Sequence, residues 1–98
     1  MHVNEGPNQA EGAVTVRYWA SARAAAGTEA DVVEVDGATT LAEVVRRVVA
    51  LHDDEAFTRV VGVCSVLVED RPAGKGDLTL VPVEPGQTVQ LLPPFAGG

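Results

Sequence analysis

From Val14 the chain alternates. Val14, Val16, Tyr18 and Ala20 share one parity, and Thr15, Arg17, Trp19 and Ser21 the other, which is the period of a half-buried strand. The apolar set marks the inner face, so Trp19 is predicted to point away from the core. "SARAAAG" then reads as a short helical turn closed by Gly27, and "DVVEVDG" as a second strand ending in an Asp-Gly turn. The clearest helix is "TTLAEVVRRVVALHD", where Thr40 and Glu43 have capping-box spacing. Leu41, Val44, Val45, Val48 and Leu51 form its apolar stripe, with Glu43, Arg46 and Arg47 off it. Valine loses rotamer freedom in a helix, so burial against a sheet, rather than propensity, has to hold this segment.

The later pattern is more broken. "DDEAFTRVVG" reads as a polar loop, with Asp53, Asp54 and Glu55 as solvated acids. "CSVLVEDRPAG" alternates again, with Val66 and Val68 on one face and Leu67 on the other, before a turn at Asp70-Arg71-Pro72. "DLTLVPV" reads as a short strand or irregular edge piece interrupted by Pro82, and "EPGQ" as a tight reversal. The last strand, "TVQLLP", puts Val89 and Leu91 inward and Leu92 outward. Strand, strand, helix, strand, edge piece, returning strand is an α+β order that fits a ubiquitin-like β-grasp: a mixed sheet of about four to five strands on one main helix. Residues 1–12, rich in Gly, Asn, Gln and Glu, read as a disordered arm, residues 13–94 as the domain, and residues 95–98 as a flexible tail.

Composition narrows the function. At 98 residues the chain forms one domain with a modest core. A single cysteine, Cys64, excludes an internal disulfide, and its apolar setting reads as a buried, reduced thiol. A formal net charge of −7 without Lys/Arg clusters argues against nucleic acid and anionic membranes and favours a basic patch on a protein partner. Neither a secretory signal pattern nor an apolar span is present, so a cytoplasmic location is expected.

Catalytic machinery is sparse. No Ser/His/Asp arrangement, phosphate loop or Cys/His ligand set stands out; no metal site is expected, and His52 reads as a favourable group at a helix C-terminus. What remains is the end, "LLPPFAGG". Pro93 and Pro94 keep the chain extended, and Phe95-Ala96-Gly97-Gly98 then narrows to a thin strand with an unhindered carboxylate. Such a tail can thread a narrow channel. At about 7% glycine usage, a Gly-Gly end arises by chance in roughly one chain in two hundred, so it carries weight only together with the domain. A carboxylate is a poor acyl donor in water, and chemistry at Gly98 requires another protein to activate it.

From Val14 to Gly98 the chain resembles the ubiquitin-like sulfur-carrier proteins of the MoaD/ThiS family, to which the small subunit of molybdopterin synthase belongs. The resemblance rests on "VRYWASARAAAG", "TLAEVVRRV" and above all "VEPGQTVQLLPPFAGG"; the N-terminal arm and "RPAGKGDLTLV" depart from the compact family pattern. It implies a chain that is not an enzyme on its own and binds no cofactor itself. A ubiquitin-activating-like adenylyltransferase using ATP and Mg²⁺ would adenylate Gly98, and a persulfide sulfur donor would convert it to a thiocarboxylate. The molybdopterin synthase large subunit would then use that sulfur. Phe95, Ala96 and Gly97 would thread the partner, and Trp19, Arg23, Leu92 and Phe95 would form the docking patch, the exposed apolar groups having been picked out by strand parity. Thiamine thiazole or cysteine synthesis are alternative destinations for the sulfur. A ubiquitin-like modifier joined to lysines and a simple interaction domain are alternatives of another class.

Overall fold

In the computed structural model, which describes residues 12–74 and 76–94, the first strand, β1 (Ala13–Tyr18), is shorter than the alternation suggests. Ala20 does not extend it: its φ is 50°, it is exposed, and it opens the helix α1 (Ala20–Ala26). Gly27 closes that helix in the left-handed conformation at φ 75°, as expected. β2 (Ala30–Glu34) follows, then a two-residue strand β3 (Thr39–Thr40) and the main helix α2 (Leu41–His52).

Thr40 caps α2 by accepting the Glu43 N–H at 3.2 Å. The Glu43 carboxylate does not complete the box, because Arg46 takes it with two hydrogen bonds of 3.0 and 2.7 Å. Leu41, Val44 and Val48 are buried, Val45 is half-buried, and Leu51 is 61% exposed, so the stripe is narrower than its periodicity implies.

The expected polar loop is a helix. α3 (Glu55–Val61) starts where Asp54 accepts the Ala56 N–H at 2.8 Å, and it buries Phe57 and Val61, one turn apart, on a single face. The acids at its start are structural: Asp53 closes α2 at φ 49° and Asp54 opens α3. β4 (Ser65–Val68) and β5 (Arg71–Pro72) form a hairpin, so Arg71 and Pro72 are paired strand residues and the turn is Glu69-Asp70. A short 3₁₀ turn (Leu78–Leu80) and β6 (Pro82–Val83) precede β7 (Thr88–Leu92).

The main sheet is five-stranded, in the order β2-β1-β7-β4-β5, while β3 pairs with β6. β1 and β7 run parallel, with Val16 opposite Val89 and Tyr18 opposite Leu91; their other pairings are antiparallel. Val14, Val16, Tyr18, Val33, Val68, Val89 and Leu91 line the inner face and meet Ala22, the α2 stripe, Phe57 and Val61. At roughly 1.5–3 kcal/mol for each fully buried aliphatic or aromatic side chain, this layer is the main source of stability. The mixed sheet packed on a principal helix confirms the expected β-grasp architecture.

Candidate functional site

Three features of the fold bear on function: the root of the tail, the outer face of the sheet, and a polar cluster at the sheet edge.

The root is fixed firmly. Leu91 is fully buried, Leu92 half-buried and Pro93 buried, and Leu92 lies opposite Ser65 of β4. The chain therefore leaves a central strand held on both sides by ladder hydrogen bonds, with Pro94 exposed at the exit. Phe95, Ala96, Gly97 and Gly98 lie outside the described residues.

The outer face carries Thr15 and Arg17 of β1, Val32 of β2, Leu67 of β4, and Thr88, Gln90 and Leu92 of β7, placed there by the registers Thr15↔Val32, Arg17↔Gln90 and Leu67↔Gln90. Val32 is 50% exposed. The described α-helices all contribute their buried residues to the opposite face. Trp19 stands at the tail end of this outer face, 38% exposed, immediately after β1. Its backbone N–H donates to Leu91 O at 3.2 Å, its indole Nε1–H donates to Gln90 Oε1 at 2.9 Å, and the Arg17 guanidinium lies 5.2 Å from its ring centroid. The structure thus brings Trp19 and Leu92 together beside the tail root. Arg23 is held elsewhere, one turn into α1, 3.9 Å from Glu29 across the Gly27 turn.

The polar cluster was not foreseen. Asp31 faces inward at the start of β2 and accepts the Tyr18 O–H at 2.8 Å, while His52 Nε2 lies 2.6 Å from the same Oδ2. An ionised carboxylate only accepts, so His52 Nε2 is the donor in this contact. The rings of Tyr18, His52 and Phe57 pack together, Tyr18 edge-on to the other two at 5.8 and 5.4 Å between centroids and His52 tilted on Phe57 at 4.3 Å. Burial, and then the hydrogen bond to Asp31, push the Tyr18 phenol far above its usual range. His52 is therefore more than a group at a helix end: it ties α2 to the sheet edge. With its hydroxyl 2.8 Å from Asp31 and its residue almost fully buried, Tyr18 is a strut rather than a reagent.

Cys64 is half-buried, its thiol donates to Val60 O at 3.3 Å, and burial pushes it up to about 11. Such a thiol is protonated at neutral pH and a poor nucleophile. No group of three or more metal-ligating side chains occurs among the described residues, and no helix there is long and apolar enough to cross a membrane.

The ThiS family profile matches residues 16–98. No curated protein matches the chain by sequence. Among solved structures, SAMP1 from Haloferax volcanii superposes with a TM-score of 0.74 at 26% identity, covering 89% of this chain and all of its own. Small archaeal modifier protein 1 (SAMP1) from Methanosarcina acetivorans gives 0.72 at 18% identity, covering 89% of this chain and 97% of its own. The complex of subunits 1 and 2 of molybdopterin-converting factor from Helicobacter pylori gives 0.60 at 24%, covering 88% of this chain and 99% of the matched one. The latter two likenesses speak to the fold alone.

Proposed function

The chain belongs to the ThiS family, and from that premise we propose that it is a sulfur carrier whose working group is the carboxyl of Gly98. The observation that carries this reading is that the family match runs unbroken from β1 through the last residue, so the Gly-Gly tail belongs to the matched unit. A tail rooted in a central strand can be inserted into a partner while the domain stays rigid.

The chemistry is divided between carrier and partner. A ubiquitin-activating-like adenylyltransferase supplies ATP and Mg²⁺; the Gly98 carboxylate attacks the α-phosphorus, pyrophosphate leaves, and an acyl-adenylate forms. A persulfide on a sulfur donor attacks the carbonyl carbon and expels AMP. A second thiol then cleaves the acyl disulfide, leaving the thiocarboxylate on Gly98 and a disulfide on the donor. The carrier contributes the acyl group and its placement, the partner the electrostatics. Phe95, Ala96 and Gly97 are the threading segment, and Trp19, Leu92 and Phe95 the docking patch, while Arg23 of α1, beside Glu29, is a separate partner contact.

Delivery to a molybdopterin synthase large subunit is the destination we favour; the Helicobacter pylori complex of subunits 1 and 2 of molybdopterin-converting factor, one chain of which shares this fold, is a precedent for such a pairing. The likeness to SAMP1 at 26% identity supports a second reading, a ubiquitin-like modifier. One experiment separates them. The protein is incubated with an adenylyltransferase of the ubiquitin-activating type, MgATP and a persulfide donor, and intact masses are read. Exchange of one oxygen for one sulfur at Gly98 supports the carrier. Stable conjugates to lysine favour the modifier, and an inert terminus overturns both. Deleting Gly98 withdraws the carboxyl by about 3.3–3.6 Å and is expected to abolish transfer without altering the fold.

A further inference from the structure

We infer that Gln90 and Arg17 are positioning residues that hold the Trp19 indole in a preset orientation as the anchor of the docking face. The inference rests on the carrier reading and sharpens it. The partner it implies is a protein surface offering an apolar pocket for the indole, with a carboxylate at its edge to meet Arg17.

The backbone delivers Trp19 in an unusual way. Ala20 takes φ 50°, a left-handed conformation that residues other than Gly, Asn and Asp rarely adopt, at the point where β1 gives way to α1. This turn leaves Trp19 with extended backbone beside β7, where its N–H donates to Leu91 O. A tryptophan here could have swung freely in solvent. Instead the Nε1–H is satisfied by Gln90 at 2.9 Å, and the Arg17 guanidinium sits at the ring.

Both supports come from the rigid centre of the sheet, where Arg17 and Gln90 are paired neighbours on adjacent parallel strands. Because Gln90 uses its amide oxygen on the indole and Arg17 covers part of the ring, the patch presents one indole edge, Leu92 and a single cation next to the root of the tail. Among the outer-face residues placed by the strand registers, Arg17 supplies the cation beside the indole, and it is this local charge that a carboxylate on the partner's rim would meet. An anchor fixed before binding avoids the ordering cost of a mobile side chain, worth about two- to tenfold in affinity.

Trp19 is the only tryptophan, so its fluorescence reports on this arrangement directly. Gln90→Met removes the acceptor at similar volume, Gln90→Glu restores one, Arg17→Gln removes the cation and Arg17→Glu reverses its charge. Each variant is measured for acrylamide quenching and nanosecond anisotropy, for thermal unfolding, and for binding to an adenylyltransferase of the ubiquitin-activating type and to a molybdopterin synthase large subunit. We expect Gln90→Met to free the indole and weaken binding about two- to tenfold at unchanged unfolding temperature, Gln90→Glu to recover the immobilisation, and Arg17→Glu to weaken binding more than Arg17→Gln. Unchanged quenching in Gln90→Met overturns the positioning role. A freed indole with unchanged binding overturns the anchor, while sulfur transfer by the unaltered protein leaves the carrier reading intact. An unaltered protein that neither binds nor accepts sulfur overturns the carrier reading, and with it the anchor, even where the fluorescence shows Trp19 held.

Discussion

Replacing Tyr18 with Phe deletes one hydroxyl from a side chain that is 2% exposed. The lost contact is a hydrogen bond of 2.8 Å to the Asp31 carboxylate, and bonds to charged acceptors contribute about 1.5–3 kcal/mol. Asp31 keeps His52 as a partner and its side chain is 21% exposed, so water partly replaces the hydroxyl. The lower end, about 1.5 kcal/mol, is therefore expected at neutral pH. The pH dependence gives a second check. Tyr18 is pushed upward in the folded state, so it stays protonated where the unfolded phenol, near its ordinary value of about 10, ionises. The unfolded state then binds fewer protons than the native state, and stability falls as pH rises through and above that value. At pH 11 the loss is about 1.4 kcal/mol in the native sequence and absent in Tyr18→Phe, so the gap between the two nearly closes. Cys64 titrates in the same range but in both proteins, and it cancels from the comparison. Urea unfolding followed by circular dichroism at pH 7 and pH 11 measures the gap, and phenolate absorbance reads Tyr18 alone, because it is the only tyrosine. A gap that is the same at both pH values, or phenolate appearing in the folded protein near pH 10, would refute the argument.

Other outcomes follow from packing and titration. Phe57→Ala, at a fully buried position, is expected to cost about 3–5 kcal/mol in denaturant unfolding; Leu51→Ala, at 61% exposure, is expected to stay within about 0.5 kcal/mol. The Cys64 thiol, raised from 9.0 to about 11, should react with iodoacetamide at pH 8 about ten- to a hundredfold more slowly than an unperturbed thiol, a ratio read from the alkylation rate.

What the sequence disclosed was set by the range of the interactions involved. β1, α2 and β7 were legible because local periodicity decides them, and parity alone placed Trp19 and Leu92 on the outer face. α3 was missed because charged residues flank a single buried stripe, although Asp54 as a cap and the Phe57–Val61 spacing were signals that could have revealed it. Arg71-Pro72 read as a turn because proline is common in turns; the actual turn is Glu69-Asp70, with Glu69 at φ 57°. The Gln90–Trp19 bond joins residues 71 apart, and the Asp31–His52 contact joins residues 21 apart. No local pattern encodes such pairs; only the parallel β1–β7 register creates the first.

That register also governs how the protein comes into being. β7 lies between β1 and β4, so the sheet has no centre until the last strand is in place, and the ladder on Thr15 to Tyr18 closes against residues 73 positions later in the chain. Pairing across nearly the whole chain makes folding slow relative to helical domains of the same size. A nascent chain therefore emerges with exposed valine-rich strands and depends on reaching Leu92 before it can bury them. The strand that completes the core ends at Leu92 and passes directly into the buried Pro93, so placing β7 both closes the sheet and fixes the point from which the following residues leave the domain.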